Sequence, residues 1–154
     1  MNKKIVVATL GVLSATPAGA QTIEIVANGS PKSATGSSQY FGGHAVVTPL
    51  LPPNETTKAS LGLVTFSPGA RTAWHTHPAG QLLIVSTGQG WLQQEGQERR
   101  TINAGDVVWI PAGVKHWHGA TATSPMSHHV MTYFAGDKNV DWMEQVADQQ
   151  YGSP

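Results

Sequence analysis

The 154-residue chain contains no cysteine. Disulfide bonds and thiolate metal ligands are therefore excluded, and a bound metal would have to rely on histidine, carboxylate or amide groups. Charge is scarce as well, since only 12% of the residues are charged and 9 basic residues balance 9 acidic ones. Because there is no run of basic residues, the sequence gives no indication of nucleic-acid binding.

A long hydrophobic run is lacking too. The apolar stretch at residues 5–13 is about nine residues long, which is too short to span a bilayer. Lys3 and Lys4 precede it, and the small residues Ala-Gly-Ala follow at 18–20. This order predicts a cleavable signal peptide over residues 1–20, with a buried first strand as the alternative. We therefore expect an exported, periplasmic protein that has no membrane span after the leader is removed.

The 17 glycines and 10 prolines favour short strands and many turns over a helical bundle. A chain of this length has room for one domain with a real core. Apolar stretches recur about every ten residues with turn sequences between them, which predicts a β-sandwich or barrel. We expect strands near residues 22–26, 45–47, 61–66, 72–77, 81–86, 91–94, 99–102, 107–110, 115–118 and 127–134, and helical turns within 140–151. The predicted division is an N-terminal arm with edge strands at 21–60, a barrel at 61–134 and a tail at 135–154.

Two short histidine clusters about forty residues apart carry the functional signal. One residue separates His75 from His77, and one residue separates His116 from His118. Because side chains alternate faces along a strand, the two members of each pair point the same way. Two such strands facing each other would bring imidazoles to one point, as a metal ion requires. The pairs predict a metal site, the alternative being histidines that only pack in the core or lie on the surface.

Each cluster lies in a frame of glycines with defined spacing. The first frame is Gly69-x5-His75-x-His77-x3-Gln81-x6-Gly88, and the second is Gly105-x5-Pro111-x-Gly113-x2-His116. Over about residues 61–134 these frames closely resemble the paired motifs of the cupin superfamily. The resemblance implies an all-β, single-domain jelly-roll barrel with one metal ion inside, an N-terminal arm and a short helical tail. It also implies His75, His77 and His116 as ligands, with Gln81 at the fourth position, where glutamate is usual.

The resemblance narrows to the bacterial cupin hydroxynitrile lyases, which are manganese-dependent and cleave or form (R)-mandelonitrile. The similar segments are residues 71–78, 80–81, 105–109, 115–120 and 140–144. That group holds its metal with three histidines and a glutamine, in agreement with Gln81. The resemblance implies one divalent ion, with Mn²⁺ favoured and Fe²⁺ or Zn²⁺ as alternatives. It further implies His118 as acid/base, Thr72 and His128 as polar groups near the substrate, and Gly62, Val64 and Thr132 as pocket wall.

This ligand set has a chemical consequence. An amide oxygen in place of a carboxylate leaves the set neutral, so a bound divalent ion keeps its full charge and attracts an oxyanion more strongly. The alkoxide of a cyanohydrin is such an oxyanion, and its C–C cleavage releases an aldehyde and cyanide. His118, one strand period beyond His116, faces the same cavity and can take the hydroxyl proton.

Two other functions fit the same residues. A cupin oxygenase would use the metal to bind O₂ and a substrate, and an exported barrel could bind a metal or small ligand without catalysis. Loss of the carboxylate makes the metal harder to oxidise, which favours the lyase. By analogy with cupins of this type, we expect a homodimer or homotetramer that acts on a small molecule.

Several other prominent residues are predicted to be structural. Arg71 is interpreted as an ion-pair or hydrogen-bond anchor for a neighbouring strand, and Asp106 as part of its Gly-Asp turn. His44 has no partner in the pattern and is predicted to have no function. Core or interface packing is the expected role of four tryptophans, Trp74, Trp91, Trp109 and Trp117.

Overall fold

The computed structural model describes residues 22–152, and the predicted leader at residues 1–20 lies outside this range. The described chain is built mainly from β-strands, with one short helix near its end. The strands are β1 (Ala34–Thr35), β2 (Phe41–Gly42), β3 (Ala45–Leu51), β4 (Ala59–Phe66), β5 (Arg71–Thr72), β6 (His75–Thr76), β7 (Gln81–Gln94), β8 (Arg100–Asn103), β9 (Val107–Ile110), β10 (His116–Ala120), β11 (Met126–Tyr133) and β12 (Asp141–Trp142), and the helix is α1 (Asp148–Gly152). Between residues 22 and 152, no helix has the length and hydrophobicity needed to cross a membrane.

The strands form an antiparallel sheet that curls back on itself. Its order is β1-β3-β4-β11-β7-β10-β5-β2, and β6, β8, β9 and β12 join this path at its sides. Strand β7 belongs to both halves, because its first part pairs with β9 and β11 and its last part with β8 and β10. The result is a jelly-roll half-barrel, which confirms the predicted all-β fold class.

Two glycines let β7 run through both halves without interruption. A Cβ at Gly88 would lie 1.9 Å from the carbonyl oxygen of Pro125, and a Cβ at Gly90 would lie 2.1 Å from the sulfur of Met126. The neighbouring chain therefore approaches β7 where no side chain fits. The sequence predicted two strands, at 81–86 and 91–94. The structure joins them, because the glycines between them permit close approach rather than form a turn.

Side chains alternate between core and surface along β7. Leu83 and Val85 are 0% and 1% exposed, whereas Ile84 between them is 44% exposed. Apolar side chains from both halves of the barrel complete this core, namely Ala45, Val64, Phe66, Ala70, Leu92, Ile102, Ile110, Ala120 and Met126. Such close packing gives the histidine-bearing strands a rigid frame.

The predicted strand at 72–77 is split into β5 and β6. Between them, the backbone N–H of Ala73 donates to the carbonyl of Tyr40 in the N-terminal arm (2.8 Å). The N–H of Trp74 donates to the carbonyl of Glu144 in the tail (2.9 Å). The N-terminal arm and the tail therefore both hold this segment. Before the break β5 pairs with β2 and β10, and after it β6 pairs with β12 and β10.

The C-terminal tail covers the outer side of β10. A second apolar cluster forms there from Trp74, Trp117, Val146 and Tyr151, with Trp91 packed against it. Every residue of β10 is buried as a result. The helix α1, at the end of the tail, lies largely within the region where helical turns were predicted.

The predicted strand at residues 22–26 is wrong. Ile23 and Ile25 are 94% and 84% exposed, and no strand is formed in this segment. Its alternating pattern is typical of a strand, but a strand also needs a neighbour to pair with, and the described residues offer none.

Candidate metal centre

Strand pairing brings the two histidine clusters together. Strand β10 runs antiparallel to β6 with His116 directly opposite His75, and their ring centroids are 4.2 Å apart. The ring of His77 lies 5.0 Å from that of His75 and 5.6 Å from that of His116. All three side chains are buried, at 1–3% exposure.

Hydrogen bonds fix which nitrogen each imidazole presents. The Nδ1 atoms of His75 and His116 lie 2.9 Å from the carbonyls of Ala73 and Val114, each two residues earlier. The Nδ1 atom of His77 lies 2.6 Å from the carbonyl of Asn139. Because a carbonyl only accepts, each Nδ1 carries the proton and each Nε2 keeps its lone pair. This is the arrangement found around histidines that ligate a metal.

Gln81 contributes an oxygen to the same cluster. Its Nε2 donates to Thr132 Oγ1 at 3.4 Å, so its Oε1 faces away from that partner. The Oε1 of Gln81 and the Nε2 atoms of His77 and His116 are buried and lack a hydrogen-bond partner among the described residues. An unsatisfied buried polar atom costs about 1–3 kcal/mol. A divalent cation would satisfy all three at once, so the side chains present fit a metal ion.

His118 enlarges the cluster beyond the predicted ligand set. Nitrogens of His75, His116 and His118 that could bind a metal all lie within 4.8 Å of one another. At the same time His118 Nδ1 lies 3.2 Å from His128 Nε2, and both rings pack against Phe66. The structure therefore joins the predicted ligands to His118, the predicted acid/base, and to His128 in one continuous group of imidazoles.

Burial keeps these imidazoles neutral. Desolvation is the largest influence on all of them, and it lowers the pKa of His116 and of His128 to about 4. The pKa values of His75 and His118 lie well below the usual value, because desolvation is reinforced by neighbouring histidines. Desolvation also lowers the pKa of His77, and the hydrogen bond to the Asn139 carbonyl and the nearby Asp141 carboxylate partly offset this. Neutral imidazole is the form that binds metals and acts as a base.

A cavity of about 170 Å³ opens beside the cluster. Its lining includes the predicted polar residues and two of the three predicted wall residues, namely Thr72, His118, His128, Val64 and Thr132. Gly62, the third predicted wall residue, lies instead on an adjoining depression that shares Val130 with the cavity. The rest of the wall is mostly apolar and includes Phe41, Val47, Phe66, Val140 and Trp142. The walls from the arm and the tail could not be predicted, because nothing in the local sequence pattern of these segments shows that they fold over the barrel.

Comparisons with known proteins agree with this architecture. A model of the cupin domain matches residues 62–132. An (R)-mandelonitrile lyase from Granulicella tundricola is 47% identical over 129 residues, which cover 84% of this chain and 98% of that protein. This chain belongs to the cupin family.

Solved structures extend the comparison. A cupin-like protein of Thermotoga maritima is 37% identical to this cupin with a TM-score of 0.73, over 77% of this chain and 90% of that one. A DMSP lyase of Ruegeria pomeroyi is 19% identical with a TM-score of 0.56, over 68% of this chain and 52% of that one. At that identity the second likeness shows the fold alone.

Residues outside the metal cluster have structural contacts in this cupin. Arg71 donates to the carbonyl of Val146 (2.9 Å) and pairs with Asp148 (2.6 Å), so it anchors the tail rather than a neighbouring strand. Asp106 accepts a hydrogen bond from the backbone N–H of Asn103 at 2.7 Å, which stabilises the turn at residues 103–106. Trp109, predicted to pack in a core or interface, is 55% exposed on the outer side of the sheet.

Proposed function

We propose that this cupin is a metal-dependent lyase that cleaves and forms cyanohydrins such as (R)-mandelonitrile. The observation that carries the proposal is the meeting of three unpartnered buried ligand atoms, on His77, Gln81 and His116, beside an apolar cavity that also contains a histidine pair. The 47% sequence identity to an (R)-mandelonitrile lyase, over most of both chains, supports the proposal.

The ligand set would consist of His75, His77, Gln81 and His116. A divalent cation held there, with Mn²⁺ favoured and Fe²⁺ or Zn²⁺ as alternatives, would supply a Lewis acid that stabilises negative charge on the substrate oxygen. All four ligands are uncharged, so the cation's charge is not offset by the protein. The hydrogen bond from Gln81 to Thr132 keeps the amide oxygen, rather than its nitrogen, turned to the site.

His118 is the proposed base. It is neutral at pH 7 because burial and its histidine neighbours lower its pKa, and it lines the cavity. It accepts the hydroxyl proton of the cyanohydrin while the C–C bond breaks and the bonding electrons leave with cyanide. The proton then passes to cyanide, from His118 directly or through His128, whose Nε2 lies 3.2 Å from His118 Nδ1. The products are an aldehyde and HCN.

Thr72 places both the base and the substrate. Its Oγ1 accepts a hydrogen bond from the backbone N–H of His118 at 3.2 Å. The hydroxyl proton of Thr72 remains available to donate to the substrate oxygen in the cavity. The apolar wall, including Val64 and Trp142, suits the hydrocarbon part of an aromatic or aliphatic cyanohydrin.

An anaerobic assay tests this function. Protein loaded with Mn²⁺ and mixed with racemic mandelonitrile under nitrogen should release benzaldehyde, followed by its ultraviolet absorbance, with HCN measured separately. Chiral chromatography of the remaining substrate should show loss of the (R) form. Metal-stripped protein is the control and should be inactive. Turnover that requires oxygen would support a cupin oxygenase instead, and no turnover would leave a binding protein.

We also propose that the chain forms a homodimer or homotetramer and is exported to the periplasm. Ile84, Val107 and Trp109 support self-association, because they are 44–65% exposed on neighbouring positions of one sheet face. Light scattering of the purified protein should give twice or four times the chain mass. Cell fractionation with the full-length sequence tests export, and retention in the cytoplasm would contradict it.

A further inference from the structure

Strand β6, which carries His75, depends on the C-terminal tail. It is two residues long and pairs with β10 on one side and β12 on the other, where Trp142 lies opposite His75. The ladder continues past its end, since Met143 N donates to Trp74 O at 2.8 Å and Trp74 N donates to Glu144 O at 2.9 Å. Without the tail, β6 would be a two-residue edge strand paired only with β10.

The tail also fixes His77. His75 and His116 direct their Nδ1 atoms to carbonyls two residues earlier in their own segments. The Nδ1 atom of His77 instead donates to the carbonyl of Asn139, 62 residues later, at 2.6 Å. The orientation of His77 therefore depends on where the tail lies.

Trp142 holds the His75 ring from the side opposite His116. The two ring centroids are 4.7 Å apart, and Trp142 itself stacks on Tyr40 of the N-terminal arm at 4.8 Å. The His75 ring is thus confined between an imidazole at 4.2 Å and an indole. An indole that packs so closely restricts the tilt of the imidazole.

Polar anchors hold the tail in this place. Lys115, next to His116, pairs with Glu144 of the tail at 2.6 Å and with Glu95 at 2.9 Å. The Nε2 of Gln145 donates to the carbonyls of Ser38 and Gln39 at 3.1 and 2.8 Å. The tail is therefore fastened both to the second histidine strand and to the N-terminal arm.

We infer that residues 139–146 are part of the metal centre, in which the Asn139 carbonyl and the Trp142 ring are positioning groups that hold His77 and His75 ready to bind the ion. The inference rests on the metal site of the proposed function but not on the reaction. Groups that orient metal-ligating histidines in this way are worth about 10- to 100-fold in metal affinity.

The matched test compares two tryptophans that are both half-buried. Trp142→Ala removes the ring against His75, whereas Trp91→Ala removes a ring that contacts Tyr151 and Arg99 on the outer side of the sheet. Binding of Mn²⁺ is titrated by electron paramagnetic resonance of the free ion. Trp142→Ala should raise the dissociation constant about tenfold or more, and Trp91→Ala by less than about twofold even if its thermal stability falls. Trp142→Phe should restore most of the affinity, since it keeps a ring.

A second measurement needs no metal. In metal-free protein with ¹⁵N-labelled histidine, the Nδ1 proton of His77 should exchange slowly with water in the wild type and in Trp91→Ala, and rapidly in Trp142→Ala. Should Trp142→Ala not fold, Trp142→Leu takes its place with the same expectations. Unchanged Mn²⁺ affinity and His77 exchange in the Trp142 variant, or an equal loss in Trp91→Ala, would overturn the inference. Wild-type protein that binds Mn²⁺ but leaves mandelonitrile intact would contradict the proposed function only.

Discussion

The two faces of strand β10 are equally buried and chemically opposite. On the outer face, Trp117 is 0% exposed, and its indole N–H donates to Gln93 Oε1 at 2.9 Å. On the inner face, His116 is 1% exposed, and its Nε2 has no hydrogen-bond partner among residues 22–152. Burial alone therefore does not separate packing from function. The difference lies in the hydrogen bonds of the two side chains, because the Trp117 indole has its partner within the protein, whereas the His116 Nε2 gains one only when a ligand binds.

The largest expected effect comes from removing an inner ligand. His116→Ala should reduce bound metal from one ion per chain to nearly none and abolish lyase turnover, because no other side chain on β10 occupies that position opposite His75. Metal analysis by mass spectrometry and the benzaldehyde assay measure this. Full metal content in His116→Ala would remove His116 from the ligand set.

Removal of the proposed base tests a different part of the inner face. His118→Ala should keep its metal and lose about 10²- to 10⁴-fold in turnover, the usual contribution of a general base. One nitrogen of His118 lies close enough to those of His75 and His116 to bind the same metal ion. Metal content must therefore be measured on the same sample. Loss of the metal together with activity would make His118 a ligand instead of the base.

A substitution on the outer face should lower the stability of the protein without changing metal binding or turnover. Trp117→Ala removes a fully buried indole, and such substitutions destabilise by about 3–5 kcal/mol. Denaturant unfolding should show this loss. Metal content and turnover of the folded fraction at low temperature should remain near wild type. A Trp117 variant that folds but binds no metal would show that the two faces are not independent.

Acid should affect the stability of the buried histidines with a predictable sign, and His128 on β11 shows it most simply. Burial lowers the pKa of His128 to about 4, whereas an exposed histidine in the unfolded chain titrates near 6.5. The unfolded chain binds more protons in between, so metal-free protein should have its full stability above about pH 6.5 and lose it toward pH 4. Urea unfolding at a series of pH values measures this, and His128→Gln should flatten the dependence. A stability that rises on acidification would contradict the burial of neutral histidines.

The fold could be predicted because its signals are local. Strand periodicity and the turn sequences between strands, which are visible over a few residues, predicted a β-sandwich or barrel. The spacing of glycines around His75 and His116 gave the resemblance that implies a jelly roll, and the structure has this all-β fold. The two strands at 81–86 and 91–94 were not recognised as one. Gly88 and Gly90 are needed for contact with Pro125 and Met126, which the local sequence does not reveal.

The site could be predicted only in part for the same reason. The spacing within each cluster places His75 and His77, or His116 and His118, on a common side of the chain. It does not show that Trp142 packs on His75 or that Asn139 holds His77, because those partners are more than sixty residues away. The wrong strand prediction at residues 22–26 has the same cause. The segment has the alternating pattern of a strand, but no other described segment pairs with it.

By itself, the sequence determined which chemical groups could hold a metal: the imidazoles of two His-x-His pairs at strand spacing and the amide of Gln81, with no thiolate in the chain. Only the tertiary structure decided which lone pairs stay unsatisfied, how His118 meets His128, and how the two ends of the described chain close over the cluster. The physical reason is distance along the chain. Residue type and local period fix the direction of a side chain, whereas its partners depend on segments that meet only when the barrel is folded.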